Sequence, residues 1–231
     1  MGIEIAGRGI RVMLVDSHRL AVCGLQRVID DEKPDLGVVA TATTCSDAIA
    51  AVEQARPDVV VLDADLAGEN EAAVVPNLIN GRNTRVLLLG GAAADVTHEL
   101  AILRGACGVV RKDETAATLI KAIRKVHKGE LWLDRSTTGK LFVELSKQNN
   151  ASLSGRADVG LQSLTSREQD VVRSLVSQPE ADNKTLASTL HIGEHTLRNH
   201  LSRIYDKLGV PNRVALYVLA ERHGVTAREG R

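Results

Sequence analysis

Over its first 130 residues the chain alternates short apolar runs with segments of helical period. The runs Ile10–Val15, Leu36–Ala40, Asp58–Leu62, Arg85–Leu89 and Gly108–Val110 consist mostly of Val, Ile and Leu. Their lack of polar alternation predicts parallel strands covered on both faces. Between them, residues 18–31, 46–56, 71–81, 95–105 and 115–128 carry apolar positions at helical spacing. Ser46 stands where an N-cap belongs, and Gly129 where the last of these helices must stop. The order is (βα)5, which predicts a doubly wound α/β domain.

The pattern then changes. Residues 130–147 are amphipathic, with Trp132, Leu141, Phe142 and Leu145, and read as a helix. Residues 148–160 are small and polar without an apolar period, as in a flexible linker. From Leu164 every segment has a helical pattern. Thr165 and Glu168 have the spacing of a capping box. Two short helices meet at His191-Ile192-Gly193, a helix-turn-helix arrangement. The second, about 194–208, places Leu197, Leu201, Ile204 and Leu208 on one side. His195, Arg198, Asn199, Ser202, Arg203 and Lys207 occupy the other. Amide and basic side chains on one helix face are what major-groove reading and phosphate docking require. A solvated face on a plain bundle helix has the same pattern. A last helix, about 212–223, carries Val214, Leu216, Val218 and Leu219, suited to closing the core or to a dimer contact. The expected division is therefore α/β for residues 1–129, a helix and linker for 130–160, and all-α for 161–231.

Composition narrows the function. Lys plus Arg and Asp plus Glu number 29 each, so the net charge is zero and a polycation that coats nucleic acid is excluded. Residues 151–231 hold 11 basic and 9 acidic side chains, so even the helical half is only mildly basic. Trp132, Phe142, Tyr205 and Tyr217 are the only aromatics, too few for a base-stacking surface. Cys23, Cys45 and Cys107 are isolated, form no metal or disulfide spacing, and read as small buried residues. The N-terminal residues lack the apolar core of a signal peptide, and no apolar run approaches the roughly 20 residues of a membrane helix. A cytoplasmic protein without a membrane partner is expected.

In a parallel α/β sheet the working site lies beyond the carboxyl ends of the strands. There the pattern places Asp16 and Ser17, Asp63, Gly90 and Lys112. Carboxylates at two strand ends and an ammonium at a third suit phosphoryl transfer: the acids hold Mg2+, one accepts the group, and the lysine stabilises its oxygens. A single Asp at a strand end also serves as a helix N-cap.

Two stretches carry a family resemblance. Residues from Leu164-Thr165 through Asn183-Lys184 to His195–Val210 closely resemble the LuxR-type DNA-binding domain over about 60 residues. By that resemblance, Arg198, Asn199 and Ser202 face bases, while Lys184, Thr196 and Arg203, with Lys207 beyond them, suit phosphate or backbone contact. Val15-Asp16-Ser17-His18, Pro57–Asp63 and Gly105–Asp113 resemble the receiver domain of bacterial response regulators over about residues 9–128. The whole chain looks like a response regulator of the NarL/FixJ class. The resemblance implies a flavodoxin-like receiver followed by a four-helix LuxR-type domain. It makes Asp63 the phosphoacceptor, Asp16 a pocket acid and Lys112 the phosphate-sensing lysine. It also implies double-stranded DNA, a second copy of the chain and a sensor histidine kinase as partners.

The departures from the family bear on phosphorylation. Ser17 replaces the second pocket acid, Gly90 the Ser or Thr that follows the phosphoryl group, and Val109 the switch aromatic. Ala67 stands where the loop usually has Pro, the 177–182 connection is about one residue longer, and Gly193 replaces a frequent Ser. The losses at 17, 90 and 109 predict weak or absent phosphate signalling, with the domain serving dimerisation or partner sensing. Ser17 also removes a charged Mg2+ ligand, for which Asp65 offers a partial replacement beside Asp16 and Asp63. Two other functions have recognisable signs. Asp63-Ala64-Asp65 has the strand-then-DxD form of haloacid-dehalogenase phosphatases. That family sets the motif on its first strand, whereas here it ends the third, and an attached helix-turn-helix is unexplained by it, so no enzyme is expected. A scaffold whose helix-turn-helix no longer reads DNA is the other.

Overall fold

Uninterrupted apolar runs fold into a sheet buried on both sides. The computed structural model describes residues 9–67, 71–79, 84–91, 96–133, 161–179 and 181–225. Strands β1 (Ile10–Val15), β2 (Leu36–Ala42), β3 (Val59–Asp63), β4 (Arg85–Gly90) and β5 (Ala106–Arg111) are all parallel, in the order β2-β1-β3-β4-β5. This is the flavodoxin-like doubly wound order. Helices α1 (Arg19–Asp30), α2 (Cys45–Ala55), α3 (Ala64–Ala67), α4 (Glu71–Ile79), α5 (Val96–Leu103) and α6 (Ala116–His127) connect the strands. Met13, Val60, Leu62 and Leu88 meet Ala48 and Val52 of α2, Val75 and Leu78 of α4, and Ile102 of α5 on one face. Val12, Leu14, Val61 and Leu87 meet Val22 and Ile29 of α1 and Leu119 and Ile123 of α6 on the other.

Local chemistry sets the element ends. Thr44, not Ser46, caps α2: its hydroxyl accepts from Asp47 N at 3.1 Å and donates to Asp47 Oδ2 at 2.8 Å. That reciprocal pair starts the helix at Cys45 and leaves Ser46 in the first turn. Gly129 follows α6 with φ of +80°, the left-handed stop expected of it. The segment expected as one helix over 71–81 contains α4, while α3 forms directly after Asp63. Of the three cysteines, Cys107 is buried and Cys45 half-buried, but Cys23 is exposed. Cys23 lies on α1 between the inward-facing Val22 and Ile29, and its own position turns outward.

The segment after α6 departs from its helical reading. Trp132 N donates to Cys107 O at 2.9 Å and Val109 N to Trp132 O at 3.0 Å, so Trp132 pairs in parallel with Gly108. A side chain at Gly108 would place its Cβ 2.3 Å from Trp132 O, so only glycine admits this approach. The rest of the 130–147 segment and the linker at 148–160 lie outside the described residues.

The helical part contains α7 (Ser166–Ser177), α8 (Asn183–Thr189), α9 (Glu194–Leu208) and α10 (Arg213–Arg222). The Thr165–Glu168 capping box is complete at the start of α7. Val171, Leu175, Leu186, Leu197, Leu201, Ile204, Leu216 and Ala220 form one core, with Leu208 half-buried at its edge. In the turn between α8 and α9 the left-handed residue is His191, at φ of +52°. Gly193 is extended and serves as the N-cap of α9 without a side-chain bond.

Candidate functional site

β1 stops at Val15 and β3 at Asp63, so Asp16 and Asp63 emerge side by side at the carboxyl end of the sheet. Both are buried, at 3 % and 1 % exposure. Asp16 Oδ1 accepts the His18 backbone N–H at 2.7 Å and lies 3.0 Å from His18 Nδ1. Asp63 Oδ1 lies 2.7 Å from Lys112 Nζ and accepts from Asp65 N at 3.2 Å. Asp63 Oδ2 is sealed from solvent and has no hydrogen-bond partner among the described residues. Lys112 also donates to Asp65 Oδ2 at 2.6 Å. Burial works against the Lys112 ammonium, but the bonds to Asp63 and Asp65 outweigh it and hold its pKa above the ordinary value.

The three switch positions sit around this pocket. Ser17 is exposed, its hydroxyl 3.4 Å from His18 Nδ1. Gly90 ends β4, and its carbonyl accepts from Lys112 N at 2.8 Å. Val109 is half-buried against the core on the α2, α4 and α5 side. Asp16 and Asp63 thus converge as expected, but Asp65 turns its carboxylate to Lys112. The third donor beside them is His18: one ligand atom from each of Asp16, His18 and Asp63 falls within 4.8 Å of the others. The sequence pattern assigns His18 no function. The signal was an aspartate and a histidine two residues apart at a strand end.

Mg2+ asks for near-octahedral oxygen ligands. This pocket offers two carboxylates and an imidazole, with a neutral hydroxyl at Ser17 turned to the histidine. One or two carboxylates and several waters commonly hold Mg2+, so Asp16 and the orphaned Asp63 Oδ2 would suit the ion, while Ser17 adds no charge to the set.

The second cluster lies on α9 and α8. Leu197, Leu201 and Ile204 anchor α9 in its core, which turns the opposite side outward. Lys184, Thr196, Asn199 and Arg203 are exposed, while Arg198 and Ser202 are half-buried. Asn199 Nδ2 lies 3.3 Å from His195 Nδ1, one turn back. Lys207 is occupied elsewhere: its Nζ lies 2.7 Å from Oε2 of the buried Glu168. The Lys207 bond, ahead of those from Thr165, holds the Glu168 carboxyl below its ordinary pKa against the opposing effect of burial.

The helical part docks on the sheet domain beside α5, β5 and α6. The side chain of Asn212 donates to Ile102 O at 2.7 Å and Ala106 O at 3.0 Å, and Asn183 Nδ2 donates to Lys128 O at 2.6 Å. Val214 joins the core of the sheet domain. Gly105, at φ of +123°, makes room: a Cβ there would lie 2.3 Å from Ile79 Cδ1 and 2.9 Å from Pro211 Cβ. The Tyr205 hydroxyl of α9 is sealed without a hydrogen-bond partner among the described residues, and burial pushes its pKa up to about 12. His127, at the end of α6, is held below its ordinary pKa by burial first, then by Arg85, Arg198 of α9 and Lys128, against the pull of Asp58.

Comparisons with known proteins cover both parts. Residues 12–124 match the model for the response regulator receiver domain, and 162–220 that for bacterial regulatory proteins of the luxR family. The DNA-binding transcriptional activator DevR/DosR of Mycobacterium tuberculosis is 32 % identical over 214 residues, spanning 91 % of this chain and 94 % of that protein. The nitrate/nitrite response regulator NarL of Escherichia coli K12 is 30 % identical over 214 residues, 91 % and 95 % of the two chains. A LuxR-family two-component response regulator structure from Aurantimonas sp. SI85-9A1 is 26 % identical with a TM-score of 0.52, covering 59 % of this chain and 97 % of that one. Among the described residues no helix is long and apolar enough to cross a membrane.

Proposed function

This chain belongs to the response regulators that join a receiver domain to a LuxR-family helix-turn-helix, and from that premise we propose how it works. As a DNA-binding transcriptional regulator of two-component type, it reads double-stranded DNA through α9. Arg198, Asn199 and Ser202 face base edges, and Lys184, Thr196 and Arg203 hold phosphates. Lys207 serves the fold through Glu168 rather than the DNA. The observation that carries the reading is the outward row Thr196, Asn199 and Arg203 on a helix whose reverse side is core. We set the receiver at residues 1–129, the connection at 130–160 and the DNA-binding domain at 161–231. The regulator acts in the cytoplasm as a homodimer on two half-sites about one helical turn apart, and no catalytic turnover is assigned to it.

Arg198 and Ser202 are half-buried, and Arg198 lies close enough to His127 of the receiver to act on its pKa, so base reading through Arg198 requires the domains to part. Asp63 is the phosphoacceptor by position, and a sensor kinase is its natural donor. Its phosphorylation is weak, because Ser17, Gly90 and Val109 remove charge, hydroxyl and switch ring. A receiver that responds to a partner or to its own dimerisation, without phosphate, is the second reading. It is favoured by Lys112, which both Asp63 and Asp65 already hold.

Gel-shift selection on random duplexes, at stated salt, tests the DNA reading. Arg198→Ala and Asn199→Ala are each expected to cost about 1–3 kcal/mol and to relax base preference at one position. Equal binding to all sequences by wild type and variants overturns it.

A further inference from the structure

We infer that His195 is a positioning residue for DNA reading: it holds the Asn199 amide in the orientation that selects adenine over guanine. The inference deepens the DNA-reading function proposed above and rests on Asn199 facing a base edge.

The geometry is set in the first two turns of α9. His195 and Asn199 are four residues apart on the helix, so their side chains lie one above the other on the same face. Asn199 Nδ2 lies 3.3 Å from His195 Nδ1. An amide nitrogen only donates, so Nδ1 is the acceptor and the ring carries its proton on Nε2. Both residues are exposed, and they occupy the N-terminal part of the helix, the part of a recognition helix that reaches base edges. The pair therefore stands formed on the reading face before DNA arrives.

The bond bears on which base is accepted. The terminal torsion of an asparagine is broad and two-fold, so an unpaired amide offers either its oxygen or its nitrogen. His195 removes that choice. One Nδ2 hydrogen is spent on Nδ1, which leaves Oδ1 and the second hydrogen for the DNA. Adenine presents the N6 donor and the N7 acceptor in the major groove, and the two remaining Asn199 groups match them together. Guanine presents O6 and N7, both acceptors, and sets one of them against Oδ1. To suit guanine the amide has to turn over, which breaks the bond unless the ring also moves its proton from Nε2 to Nδ1. Adenine requires neither change. Water competes for the bond in the free protein, whereas in a groove from which water is displaced the bond counts for more.

The test uses the full chain and selection on duplexes randomised through the site, at about pH 8, above the range in which histidines ordinarily change charge. Asn199→Ala marks the base pair that Asn199 reads, where wild type is expected to prefer adenine to guanine by about 10-fold or more. The ratio is taken within one protein, so the docking equilibrium between the domains cancels. His195→Ala is expected to lower it roughly 3- to 10-fold, the weight of one modest hydrogen bond, with the salt slope unchanged. Two further variants separate positioning from charge. His195→Glu, an acceptor only, should keep the adenine preference while total affinity falls. His195→Lys, a donor only, should push the preference below that of His195→Ala while total affinity rises. In the Asn199→Ala background none of the three should alter the preference at that pair. Because position 195 is exposed, the variants are expected to keep the far-ultraviolet dichroism of wild type. An unchanged ratio in His195→Ala, or equal ratios in the Glu and Lys variants, overturns the positioning role alone. So does a lost preference at a different base pair, which would make His195 a reader itself. If Asn199→Ala marks no base pair, or the marked pair does not favour adenine, the failure lies in the Asn199 reading and the inference falls with it.

Discussion

The side-chain amide of Asn212 lies 2.7 Å from the carbonyl oxygen of Ile102, joining the first residue before α10 to the last turn of α5. The same side chain caps α10, since its Oδ1 accepts from Ala215 N at 2.9 Å. One amide therefore both starts a helix and fastens two domains. Asn212→Asp separates the roles: the cap acceptor remains, but a carboxylate oxygen now faces the carbonyls of Ile102 and Ala106. The docked form is expected to lose about 1–3 kcal/mol, the cost of an unpaired buried polar group. Small-angle scattering should show a larger radius, and DNA affinity should rise up to about 10-fold as the open form becomes populated. A larger radius with unchanged DNA affinity would mean that docking does not limit reading.

Lys207→Met tests whether Lys207 belongs to the fold. It leaves the Glu168 carboxylate buried without its ammonium partner, at an expected cost of about 2 kcal/mol in urea unfolding. Lys207 is partly exposed, which keeps the figure below that of a fully buried pair. Because the pair depresses the Glu168 pKa, its contribution is complete above the ordinary carboxylate value and is lost as pH falls below it through the depressed folded value. The slope of DNA affinity against salt should not change. A fall of about one unit would place Lys207 on a phosphate.

His127 makes docking sensitive to acid. Its docked pKa lies below the ordinary value of 6.5, so the undocked or unfolded form takes up the proton first. The docked form is at full strength above that value and weakens as pH falls below it. Thermal melting and scattering at pH 7.5 and 5.5 should show lower stability and a larger radius at the acid end. His127→Gln should flatten the difference, and an equal pH response in that variant removes the role.

Phosphorylation of Asp63 by acetyl phosphate, read by intact-mass spectrometry, should remain well below one phosphate per chain. Restoring the missing groups with Ser17→Asp and Gly90→Thr should raise it several-fold. Stoichiometric modification of wild type, with tighter DNA binding, would refute the weak-acceptor reading.

Much of this architecture was legible because it follows local periodicity. The (βα)5 order, the strand ends at Asp16, Asp63 and Lys112, and the Thr165–Glu168 box all depend on neighbours within a few residues. His18 escaped notice because its relation to Asp63 spans 45 positions and appears only when β1 and β3 pair side by side. Asn183 and Asn212 stand at helix starts, and the bonds of their amides to Lys128 and Ile102 come from packing between domains, which no local spacing reports. Trp132 looked like part of an apolar helix stripe, but β5 offered it an unpaired N–H and carbonyl. Hydrogen bonding along the strand prevailed over helical period.

That pairing also bears on how copies of the chain can meet. β5 is the last strand of the sheet, and the Val109 N–H and Cys107 carbonyl are the groups it turns outward. Trp132 takes both, so at this point the chain supplies its own sixth partner. A neighbouring molecule cannot extend the sheet across that border without first peeling away the segment that leads to the DNA-binding domain. Disordered strand-to-strand association along β5 is thereby tied to disruption of the connection itself, and self-recognition on this side is left to helix surfaces.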